Sequence, residues 1–161
     1  MIELQLVGVR VELPTNQPIV LLKEREGERY LPTWIGPVEA TAIALGMQGI
    51  ETLRPMTHDL MRDLLQGLAI SVDRIVITEL RDGTFYAEIQ MSQNGTTVSV
   101  SSRPSDALAL AVRMDLTIFA NEEVLEEASI AVKDDDQEED AEKELERFRE
   151  FLEQVTPEDF K

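Results

Sequence analysis

The sequence predicts an α+β fold: a duplicated β-β-β-α-β unit whose strands form a mixed sheet with helices packed on it, followed by a C-terminal amphipathic helix. Two alanine-rich segments carry this reading, Pro37–Met47 and Pro104–Met114. At an offset of 67, Pro37/Pro104, Ala40/Ala107, Ala42/Ala109, Ala44/Ala111 and Met47/Met114 are identical, and Glu39 faces Asp106. The match continues backwards without a gap, with Val9 on Val76, Glu12-Leu13 on Glu79-Leu80 and the Gly27-Glu28 turn on Asn94-Gly95. A period this long, occurring twice, points to one pseudo-symmetric domain and not to a repeat array.

Met1 to Leu13 alternates, then changes phase after Gly8, which predicts a long strand with a bulge at the glycine. Residues 14–18 form a turn, Ile19 to Leu22 a short buried strand, and Arg29 to Ile35 a third strand in which Pro32 marks an edge or an irregular end. Gly36-Pro37-Val38-Glu39 opens a helix, with proline at the first helical position and an acid in the first turn. Gly46 and Gly49 weaken and end it, and Ile50 to Leu53 reads as a brief strand. Thr57 is the expected N-cap of a helix over His58 to Leu68, with the apolar stripe Leu60, Met61, Leu64, Leu65, Leu68.

The second unit starts at Ile70. Its strands run to Leu80, from Phe85 to Met91 and from Thr96 to Ser101, joined by turns at Arg81-Asp82-Gly83 and Asn94-Gly95. A helix from Pro104, a strand over Leu116 to Phe119 and a short helix over Glu122 to Glu127, capped by Asn121, complete the unit. Residues 1–130 are thus one domain, with its internal repeat at about 2–53 and 69–120. Residues 131–161 hold a nearly all-acidic linker and then Ala141, Leu145, Phe148, Leu152 and Val155 on one helical stripe. Such a helix is marginal alone and needs a partner surface, on the core or on a second subunit. Trp34 and Phe85 are expected in the core.

The chain has no cysteine and one histidine, His58, so thiolate zinc sites, disulfides, a cysteine nucleophile and multi-histidine metal clusters are excluded within one chain. No apolar run approaches the roughly 18 residues needed to span a bilayer, and the alternating start of the chain reads as a strand; the cytoplasm is the expected compartment. The net charge is −17, and from Asn121 onward 17 acidic residues stand against five basic. No basic footprint of a nucleic-acid binder is visible, which counts against that role without excluding a site on the core.

Several residues invite chemistry. Glu39 and Asp106 lie in the first turns of sibling helices; they either complement the helix dipole or converge on a divalent cation. Arg54 and Arg103 each precede a proline and serve either as bidentate phosphate ligands or as ion-pair partners of Glu39, Asp59 or Asp106. His58-Asp59, near a positive helix end, suits either a general base or plain first-turn residues.

These residues also carry a resemblance. Leu31-Pro32-Thr33-Trp34-Ile35-Gly36, Glu39-Ala40, Arg54-Pro55-Met56-Thr57-His58-Asp59-Leu60 and Arg103-Pro104-Ser105-Asp106-Ala107 resemble the bifunctional nuclease domain proteins of bacteria and plants, over roughly residues 1–130. The resemblance implies nuclease activity on DNA and RNA, a homo-oligomer (a dimer as the first expectation) and functional roles for Glu39, His58, Asp59, Arg103 and Asp106. In the reading that follows, His58, Glu39, Asp59 and Asp106 are catalytic. Glu39, Asp59 and Asp106 hold Mg²⁺ or Mn²⁺, and Arg54 and Arg103 bind the substrate phosphate. One departure stands out: Ser101 occupies a place where the family often has an aspartate, which would weaken a metal site that used it. The competing expectation is a non-catalytic oligomeric binding or regulatory module.

Overall fold

The structure, a computed structural model, describes residues 1–12 and 16–131. The acidic linker and the C-terminal helix expected beyond them lie outside the described residues. Eight strands and four helices run in the order β1 (Ile2–Glu12), β2 (Gln17–Glu24), β3 (Arg29–Trp34), α1 (Pro37–Met47), α2 (Thr57–Gly67), β4 (Ser71–Arg81), β5 (Thr84–Gln93), β6 (Thr96–Ser102), α3 (Pro104–Met114), β7 (Ile118–Ala120), α4 (Glu122–Ala128) and β8 (Ile130–Ala131). No helix among the described residues is long and apolar enough to cross a membrane.

All eight strands form one sheet, ordered β6-β5-β4-β7-β1-β2-β3-β8. Each half of the chain contributes an antiparallel meander, β1-β2-β3 or β4-β5-β6. Strand β7 joins them, antiparallel to β1 and parallel to β4, and that one parallel pairing makes the sheet mixed. The turn chemistry follows the sequence closely. Asp82-Gly83 and Asn94-Gly95 all take positive φ, at 52°, 76°, 49° and 78°, the geometry a two-residue turn needs to match strand twist. The register of β1 on β2 slips between Leu6 and Gly8, the bulge expected at the glycine.

The helices differ in how they are buried. In α3, Ala107, Leu108, Ala109, Leu110 and Ala111 are all buried, because the helix touches α1, α2, β4 and β5 at once. Alanine on two sides lets those neighbours approach closely. Gly46 of α1 extends this: a β-carbon added there would lie 2.4 Å from Val112 Cγ2 and 2.9 Å from Arg113 Nη1. The core beneath is built from Leu22, Leu31, Ile43, Ile75, Ile77 and Leu108, with Leu110 and Leu125.

Three expectations need correction. Residues 50–53 form no strand but a loop, so the fifth element of the unit occurs in the second half only. Gly49, with φ at 64°, follows the end of α1 in the left-handed conformation. Thr57 is the first helical residue and Met56 the N-cap, because the Asp59 carboxylate, three residues on, accepts the Met56 N–H at 3.0 Å and does the capping. The stripe of α2 is only half used: Met61 and Leu65 pack on the core, while Leu60, Leu64 and Leu68 stay exposed.

Trp34 also leaves the expected core. Leu31 and Thr33 point inward along β3, so alternation turns the Trp34 ring out, and the residue is 51% exposed. Phe85 packs against the core from a partly buried position.

Candidate functional site

The starts of α2 and α3 meet, and the histidine of one touches the aspartate of the other. His58 Nε2 lies 3.0 Å from Asp106 Oδ1. An ionised carboxylate only accepts, so Nε2 carries the proton and donates it, which leaves Nδ1 as the basic nitrogen of the neutral ring. On the other side of Asp106, Arg103 Nε and Nη2 stand 2.9 and 2.8 Å from Oδ2. Arg103 Nη1 donates to Glu39 Oε1 at 3.1 Å, which ties the start of α3 to the start of α1. Glu39 folds back over Gly36 so closely that a β-carbon there would lie 2.2 Å from Oε2.

The chain His58–Asp106–Arg103–Glu39 therefore gathers four of the expected residues at three helix starts. Its members differ in exposure. The His58 side chain is 9% exposed and that of Arg103 65%, so the cation faces solvent while the imidazole lies behind it. Burial pushes the Asp106 carboxyl up, but the His58 and Arg103 hydrogen bonds and the Arg103 charge outweigh it and hold the group below the usual aspartate range. The bond and charge of Asp106, then the bond to Glu39, raise the Arg103 guanidinium further above its already high value.

Asp59 and Arg54 are not part of this chain. Asp59 Oδ1 accepts from Arg113 Nε at 2.8 Å, and its other oxygen caps α2. Arg113 is the residue that sequence reasoning missed. Its side chain is 5% exposed and also donates to the carbonyls of Ala42 and Ala109, at 2.9 and 2.7 Å. A charge within the apolar run Ala107–Met114 was the available signal, since a buried guanidinium demands acceptors. Burial raises the Asp59 carboxyl, the Met56 N–H and Arg113 lower it more, and the net shift is downward. Arg54 is exposed on the loop before α2, and no side-chain bond joins it to Glu39, His58 or Asp106. Ser101 is exposed on β6, across from Glu88.

The carboxylates Glu39, Asp59 and Asp106 do not meet as a ligand set. Among the described residues no group of three or more histidine, aspartate or glutamate side chains could hold a metal ion. An arginine engages one oxygen of each of the three carboxylates. As arranged, these residues do not fit a resident divalent ion.

Comparison with known proteins adds the family. The profile of the bifunctional nuclease domain matches residues 20–133. The chain is 48% identical over 163 aligned positions to the Mycobacterium tuberculosis protein named Uncharacterized protein Rv1829, covering 99% of this chain and 98% of that one. It is 26% identical over 115 positions to Bifunctional nuclease 2 of Arabidopsis thaliana, and 23% over 112 to Bifunctional nuclease 1 of Oryza sativa subsp. japonica. Each plant match covers 68% of this chain, but only 35% and 34% of the plant proteins. The matched span runs from β2 through β8 and contains every residue of the helix-start cluster, and on it the chain belongs to the bifunctional nuclease domain family.

Proposed function

We propose that this chain is a nuclease that hydrolyses phosphodiester bonds of DNA or RNA at the junction of α1, α2 and α3. The observation that carries the reading is Asp106 held between His58 and Arg103, an imidazole oriented by a carboxylate beside an exposed guanidinium. In this mechanism Asp106 fixes the His58 tautomer, and Nδ1 takes a proton from the attacking water as its oxygen bonds to phosphorus. The bond from phosphorus to the leaving oxygen breaks, and the imidazolium returns that proton to it. Arg103 has five N–H donors, of which Asp106 and Glu39 engage only part, and the remainder steady the phosphate charge. Asp59 supports the start of α2 through Arg113 and has no direct part in the reaction, and Arg54 is left for phosphate further along the strand.

A resident Mg²⁺ or Mn²⁺ is not needed for these steps, and none is routed through it. An ion would have to displace Arg103 from Glu39 and Asp106. The test is cleavage of single-stranded DNA and RNA by the purified chain, with EDTA and with Mg²⁺ or Mn²⁺. His58→Asn and Asp106→Asn should each lose about 100-fold or more, as removal of a positioned base does. Equal rates in wild type and both variants, with unchanged circular dichroism, would end this assignment.

A second reading has its own observation. Leu60, Leu64 and Leu68 of α2 are exposed, as is Leu53 on the loop before it, apolar surface suited to a second copy or to the apolar stripe of residues 141–155. In that reading the helix-start ion pairs only brace an oligomeric binding module. Removing residues 133–161 and measuring molar mass tests the tail's part in assembly; an unchanged mass would refute it.

A further inference from the structure

Beside the helix-start cluster runs a groove of about 590 Å³, between the end of β3, the β4–β5 turn and the start of α3. That volume falls within the range of small-molecule sites. Two features of its lining face solvent. Trp34 is 51% exposed on its wall, although a ring of that size normally seeks burial. Arg103 brings a solvent-facing guanidinium to the edge.

We propose that this groove seats one unpaired nucleobase of a single-stranded nucleic acid, stacked on Trp34, with the adjoining phosphate on Arg103. The inference rests on the nucleic-acid reading above and adds to it the strand state of the substrate. Each observation narrows the ligand. A free anion would use Arg103 and the positive starts of α1 and α3, but not the indole. An apolar ligand would leave the guanidinium unused. A flat heteroaromatic ring with a phosphate attached uses both the indole and the guanidinium, and a paired base could not offer its face. Phe85, also in the lining, adds a second apolar surface.

Trp34 is the chain's single tryptophan, so tryptophan fluorescence, excited clear of Tyr30 and Tyr86, reports on this groove alone. The full chain is titrated in EDTA, with strand integrity checked on a gel after each titration, against a thymidine decamer, an abasic decamer of equal phosphate count and a blunt duplex. The decamer should quench saturably, and the abasic strand and duplex should not. By anisotropy of a labelled decamer, Trp34→Ala should weaken binding roughly 10- to 100-fold, the range of one lost base stack. Trp34→Tyr should retain most of it. Equal quenching by the abasic strand, or unchanged affinity in Trp34→Ala, would overturn the proposal. So would a changed molar mass in Trp34→Ala, which would make the indole a contact between copies. Binding as described without any cleavage would remove the nuclease and keep the groove; cleavage with binding indifferent to Trp34 would do the reverse.

Discussion

Replacing Arg113 by alanine tests how α2 is held in place. The guanidinium spans three attachments, to Asp59, Ala42 and Ala109, from a side chain 5% exposed. The two carbonyls lie within α1 and α3, and the ordinary helical N–H bonds can still serve them after the change. The loss therefore falls on Asp59, whose 20%-exposed carboxylate would keep the Met56 N–H and have only Arg62, at 3.9 Å, as a nearby cation. Removing one partner of a fully buried pair costs about 3–5 kcal/mol; partial exposure of Asp59 puts this case near the bottom of that range, at about 3 kcal/mol. Urea unfolding should show that loss in midpoint without a change of slope, and the melting temperature should fall by about 10 °C. Adding Asp59→Asn should recover part of the loss, because the unpaired charge goes with it. The paired exposed residues Arg25 and Glu3 supply the control, since Glu3→Ala should cost under about 1 kcal/mol. An Arg113→Ala loss as small as that of the control would refute the claim that this buried pair fixes α2, and with it the placement of His58 against Asp106.

Gly46→Ala sets helix propensity against packing: alanine gains about 0.8–1 kcal/mol in a helix interior, but overpacking costs about 1–3 kcal/mol. With Val112 Cγ2 2.4 Å from the new carbon, packing should win, and thermal melting should show a less stable protein. Acid should destabilise the fold through Asp59 and Asp106. Both carboxyls ionise below their ordinary value when folded, so their contribution is complete above the unfolded pKa of about 3.9 and is lost as pH falls through the depressed folded values. Asp59→Asn should therefore be less stable than wild type near neutrality and converge on it below about pH 3; parallel curves at all pH values would contradict the assignment.

Much of the frame was readable because local chemistry dictated it. Asn94-Gly95 and Asp82-Gly83 can meet the positive φ of tight hairpins, and Gly8 can absorb a bulge, whatever the remainder of the chain does. Pro37 and Pro104 open helices for the same local reason. Four of the candidate residues, Glu39, His58, Arg103 and Asp106, could be picked out as chemically apt, but their junction depends on how three helices pack. Asp59 shows the limit most clearly. Its charge and position suited a metal ligand, yet its partner is an arginine 54 residues away, which no spacing rule connects to it. The outward turn of Trp34 was available from the alternation of β3 and was hidden by the usual expectation for tryptophan.

The three-residue strand β7 also governs how the chain reaches this state. It sits between β1 and β4, and it comes from residues 118–120, after both meanders have been synthesised. Until it emerges from the ribosome, each meander presents an unpaired inner edge, an invitation to mispair with a neighbouring nascent chain. A chain interrupted just ahead of Ile118 would carry both open edges indefinitely. Such a fragment should precipitate or be degraded, although it would contain all four residues of the His58–Asp106–Arg103–Glu39 chain.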